Sequence, residues 1–96
     1  MTRQDVLQKL SEFRRTREGE FGIVRLGLFG SAARDQIGDD SDIDVVVELA
    51  RPDLFALIGI KQELEAVLGR PVDVIRYRAN MNAFLRQRLQ QESIYV

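Results

Sequence analysis

Three carboxylates and one glycine-serine turn are the residues here whose types and spacing point to chemistry. Asp42 and Asp44 lie two apart in Asp42-Ile43-Asp44-Val45-Val46-Val47-Glu48-Leu49. That segment reads as a central strand, so the two side chains share one of its faces. Asp73 sits inside Val72-Asp73-Val74-Ile75, another short apolar segment of strand character. If the two strands are neighbours, the three carboxylates converge on a small area. Like charges at close range raise each other's pKa and desolvation adds to the cost, but a divalent cation removes that objection. Mg²⁺ prefers octahedral oxygen coordination and usually keeps positions for water and substrate phosphates. Gly30-Ser31 supplies what the carboxylates lack: backbone that a ligand can approach closely, a hydroxyl, and N–H groups at a helix start for phosphate oxygens. Arg34, one helical turn further on, is a candidate second phosphate contact. The alternative for Arg34 is a surface ion pair with Asp35 or Asp39.

The composition narrows the chemistry from the other side. The 96 residues contain no histidine and no cysteine, which excludes Ser-His-Asp and Cys-His nucleophile systems, Cys/His zinc sites and thiol redox chemistry. Any metal must therefore be a hard cation on oxygen. Fourteen Lys plus Arg against fifteen Asp plus Glu give a formal charge of -1, so direct nucleic-acid binding is not expected. The charges are unevenly placed, however: residues 35–48 carry six carboxylates (Asp35, Asp39, Asp40, Asp42, Asp44, Glu48) and no basic residue. A solvated acidic loop would look the same, so position in the fold has to decide its meaning. No apolar run approaches the ~20 residues of a membrane span and the first residues lack the apolar core of a signal peptide, so a cytoplasmic location without membrane contact is expected.

The elements that must hold these groups can be read in order. Val6, Leu10 and Phe13 give helical spacing over residues 5–17, with Gly19 and Gly22 closing the helix. Residues 23–29 form a β-branched, apolar strand that ends at Gly30-Ser31. Residues 31–34 start a short helix, and Gly38-Asp39-Asp40-Ser41 turns the chain into the strand of residues 42–49. Asp53 caps a helix in which Leu57, Ile58, Leu64, Val67 and Leu68 keep helical spacing until Gly69. After the strand of residues 72–75, Asn80 or Asn82 caps a last helix bearing Phe84, Leu85 and Leu89, and residues 93–96 add a terminal strand. The order predicts one α+β domain over residues 1–96, a mixed sheet of about four strands with helices packed on it. Arg76, Arg78, Arg86 and Arg88 with Tyr77 and Phe84 form a candidate partner surface, although packing of the last helix on the sheet explains Phe84, Leu85 and Leu89 as well.

Gly30-Ser31, ten intervening residues and then Asp42-Ile43-Asp44, with Asp73 downstream, resembles the signature of the DNA polymerase beta-like nucleotidyltransferases, and more narrowly of their minimal (MNT) group. With the element order included, the resemblance covers nearly the whole chain. Ala32-Ala33 and Asp35-Gln36 depart from the Arg and Gly-Glu that many relatives have around this turn. The resemblance implies that Asp42 and Asp44 bind two Mg²⁺ ions with ATP, and that Asp73 joins one metal and helps activate an attacking hydroxyl. It implies a hetero-oligomer with a helical HEPN ribonuclease toxin, whose tyrosine hydroxyls receive AMP, the chain acting as antitoxin. Two other readings remain: an antitoxin that neutralises by binding alone, and a nucleotidyltransferase with a small-molecule or RNA acceptor.

Overall fold

The structure, a computed structural model, describes residues 1–38 and 41–96. The first helix, α1 (Arg3–Phe21), opens with a capping box in which Thr2 accepts from the Asp5 N–H and the Asp5 side chain accepts in return. It runs past Gly19, which meets no neighbour, and stops only at Gly22, whose positive φ of 68° ends the helix. Four strands follow: β1 (Ile23–Phe29), β2 (Ile43–Leu49), β3 (Val72–Arg76) and β4 (Ile94–Tyr95). Between them lie α2 (Gly30–Ala33), α3 (Leu54–Leu68) and α4 (Ala83–Glu92). Asp53 caps α3 through the Ala56 N–H, and Asn82 caps α4 through the Leu85 N–H.

The strands form one mixed sheet in the order β3-β2-β1-β4. Strands β1 and β2 are antiparallel, β2 and β3 parallel, and β1 and β4 antiparallel. The parallel pair is possible because α3 carries the chain back across the sheet between β2 and β3. Side chains alternate across the sheet, so β2 divides cleanly. Ile43, Val45, Val47 and Leu49 join Val6, Leu10, Leu26, Leu28, Ile60 and Leu64 in the main core beneath α1 and α3. Asp44, Val46 and Glu48 face the opposite side, where Val46 and Phe29 pack with Tyr77 and Leu89 under α4.

Besides the longer α1, two expectations change. The buried stripe of α3 is Ala56, Ile60, Leu64 and Leu68, while Ile58 and Val67 point outward. On α4, Leu89 is buried and Leu85 packs beside it, but Phe84 is 71% exposed and contributes nothing to the core. No helix is long and apolar enough to cross a membrane among the described residues.

Candidate active site

The site begins where β1 ends. Gly30 has φ of 72°, a region that side-chain-bearing residues avoid. A Cβ placed on it would stand 2.3 Å from Asp44 Oδ2. The residue must therefore be glycine on two independent grounds, and the Asp44 carboxylate lies directly against the Gly30-Ser31 turn. Antiparallel pairing sets this contact, because Phe29 is the register partner of Asp44. On the other side of β2, parallel pairing puts Asp73 opposite Asp44. Asp42 precedes the strand by one residue and shares the same face by alternation.

The electrostatics report the same convergence. The Asp44 carboxyl is held above the ordinary carboxylate range, first by burial, then by the charges of Asp73 and Asp42. Arg34 acts in the opposite direction, which puts its guanidinium within electrostatic reach of Asp44. Asp35, the alternative partner for Arg34, is in left-handed conformation at φ 59° and accepts from the Arg3 backbone N–H at 3.2 Å. Asp39 lies outside the described residues. Arg3 Nη1 also donates to the Ala33 carbonyl at 3.1 Å, so the start of α1 braces the short α2 that presents Gly30, Ser31 and Arg34.

The donor set suits a hard divalent cation. It offers carboxylate oxygens alone, with the charge repulsion at Asp44 as the quantity a cation would relieve. Among the described residues no group of three His, Cys, Asp or Glu side chains is close enough together to hold a metal ion as the side chains stand. Asp42 and Asp73 are exposed, which leaves coordination positions open to phosphate and water.

The rest of the face lacked a sequence motif. Arg25, opposite Glu48 in the ladder, pairs with it at 2.7 Å and lies 4.5 Å and 5.1 Å from the ring centroids of Tyr77 and Tyr95. Tyr95 crosses over Gly27, where a Cβ would meet its ring at 2.9 Å, so a strand glycine makes room for an aromatic lid. Period-two alternation from Asp44 to Glu48, and from Asp73 through Ile75 to Tyr77, is the signal that could have put Glu48 and Tyr77 on the face of the carboxylates.

Comparison with known proteins agrees with this geometry. The nucleotidyltransferase domain family matches residues 7–96. A Methanocaldococcus jannaschii protein assigned as a protein adenylyltransferase is 40% identical over 76 residues, covering 78% of this chain and 81% of its own. Protein adenylyltransferase MntA of Thermococcus cleftensis is 28% identical over 97 residues, covering 100% of this chain and 97% of its own. A solved structure assigned to the minimal nucleotidyltransferases superposes with a TM-score of 0.83 at 28% identity, over 98% of this chain and 95% of that one. A crystal structure of a toxin-antitoxin pair with AMP-PNP gives a TM-score of 0.74 at 25% identity, over 92% of this chain and 69% of that one. With the Gly-Ser turn pressed against Asp44 and Asp73 in register beside it, the chain belongs to the nucleotidyltransferase domain family and to its minimal group.

Proposed function

We propose that this nucleotidyltransferase moves AMP from ATP to a tyrosine hydroxyl of a helical HEPN ribonuclease toxin, and thereby serves as that toxin's antitoxin in a hetero-oligomer. The observation that carries the reading is the packing of Asp44 against Gly30 with Asp73 opposite it. This joins a phosphate-binding turn to acidic groups on one open face. The names of the relatives as protein adenylyltransferases and the toxin-antitoxin pair with AMP-PNP support nucleotide and partner.

The reaction follows from the arrangement. An acceptor oxygen attacks the α-phosphorus, a new P–O bond forms, and the bond to the bridging oxygen breaks with its electron pair leaving on pyrophosphate. Gly30, Ser31 and Arg34 hold the phosphate chain in place through close backbone approach, hydroxyl and guanidinium. Asp73, exposed on the edge strand β3, would receive the acceptor's proton. Asp42, Asp44 and Asp73 would hold Mg²⁺. Bound there, two Mg²⁺ ions supply charge stabilisation for both the attacking and leaving oxygens.

Incubation with ATP labelled at the α-phosphate, Mg²⁺ and the helical partner should label the partner. Labelling that survives Asp42→Asn with Asp44→Asn would sink the assignment. Transfer with no protein present would point to a small-molecule or RNA acceptor. Neutralisation by the double Asn variant would point to inhibition by binding alone.

A further inference from the structure

Arg88 stands apart from the groups the motif supplies. It lies on the last turns of α4, and its guanidinium carbon is 5.6 Å from the ring centroid of Phe29. Phe29 is the ladder partner of Asp44 and the residue immediately before Gly30, so a cation hangs over the β1 side of the carboxylate cluster. Its placement is fixed by its neighbours in α4. Leu89 is fully buried against the sheet, its carbonyl accepts from Tyr95 Oη at 3.1 Å, and Gln90 Nε2 donates to Tyr77 Oη at 2.7 Å. Among the described residues the guanidinium has one ionic partner, Glu92, at 2.9 Å one turn along the helix. Both side chains are more than two-fifths exposed, so that pair is screened and readily exchanged.

The order of groups across the sheet gives this cation a task. From the β3 edge inward come Asp73, Asp44, then Phe29 with the Gly30-Ser31 turn. In-line displacement needs the acceptor on one side of the α-phosphorus and pyrophosphate on the other. With Asp73 at the acceptor end and Gly30-Ser31 at the phosphate end, Arg88 is on the pyrophosphate side. We propose that Arg88 exchanges Glu92 for the β- and γ-phosphates of bound ATP, holding the leaving group from above the sheet while Ser31 and Arg34 hold it from the strand end. A cation there favours the negative charge that builds on the departing pyrophosphate. The inference rests on the nucleotide-transfer reading above and adds to it a phosphate contact from the C-terminal helix.

Calorimetric titration of the full chain with ATP, ADP and AMP in Mg²⁺ tests it. Arg88→Gln, which keeps an extended stem over Phe29, is expected to weaken ATP binding about tenfold and AMP binding less than about twofold. Glu92→Gln, which releases the guanidinium, is expected to strengthen ATP binding about two- to threefold. Arg51→Ala, at the opposite end of β2, should alter neither. Thermal melting of each variant verifies the fold, and Arg88→Lys serves as a second, charge-retaining replacement with an intermediate ATP affinity. Unchanged ATP affinity in Arg88→Gln, or an equal loss for ATP and AMP, overturns the phosphate contact while leaving nucleotide transfer intact. A wild type that binds no ATP overturns the transfer reading and this inference with it.

Discussion

The two faces of the sheet are built from the same strands and obey opposite rules. Beneath α1 and α3, β2 contributes Ile43, Val45 and Val47, each fully buried, and among the described residues the buried ones around them are all apolar. Beneath α4 the intervening positions are Asp44, Val46 and Glu48, and the neighbours are a tyrosine-flanked arginine, a phenylalanine and a second aspartate. One face supplies stability through burial; the other accepts charge repulsion and leaves its edge open. A strand with period-two alternation is what allows both in a chain of 96 residues.

Asp44→Asn should break the contrast most sharply. Transfer activity is expected to fall on the order of a thousandfold, read from labelled AMP, because the group next to the Gly30-Ser31 turn loses its charge. Leu64→Ala, on the dry face, should cost about 2–5 kcal/mol of unfolding free energy by denaturant titration. The KM for ATP should hardly move. Gly30→Ala places a methyl against Asp44 and forces an unfavourable φ, so activity is expected to drop about a hundredfold with a smaller loss of stability.

Smaller effects sharpen the same line through pH. Asp44 has a raised folded-state pKa, so its ionised form opposes folding at neutral pH, and the opposition fades as pH falls through that value. Without metal, Asp44→Asn should therefore melt a few degrees higher at pH 7, with the gain vanishing below about pH 4. Glu65 on α3 is the reverse case. The Val72 N–H at 3.0 Å, and then Lys61, hold its carboxyl below the ordinary value of 4.5. Its contribution is present above that value and lost as pH falls through the lowered one. Glu65→Gln should lower Tm slightly at pH 7, by an amount that shrinks as pH falls below 4.5.

Much of this was legible from spacing. The strands, the cap at Asp53 and the face shared by Asp42 and Asp44 follow from local pattern alone, whereas pattern leaves the cap of α4 between Asn80 and Asn82 and the structure gives it to Asn82. The place of Asp73 depended on β3 pairing with β2, a long-range fact that spacing leaves conditional. Gly19 signals a stop in the sequence, yet α1 continues to Phe21, because a helix tolerates an exposed glycine when the next turn packs through Phe21. For Phe84 the sequence leaves a partner surface and packing on the sheet both open, because its type fits either; its position on α4 turns it away from the sheet, which removes the packing reading for this residue. Arg88 had no motif at all: its significance comes from the ring of Phe29, fifty-nine positions earlier, and only folding brings them together.

The most direct test of the acidic face is a Mn²⁺ titration of the isotopically labelled chain in the presence of ATP, followed by NMR line broadening. Broadening confined first to residues 29–31, 42–44 and 73, and abolished at those positions by Asp44→Asn, is the predicted result. Broadening centred on the surface glutamates of α1, with residues 42–44 and 73 untouched, would contradict the account.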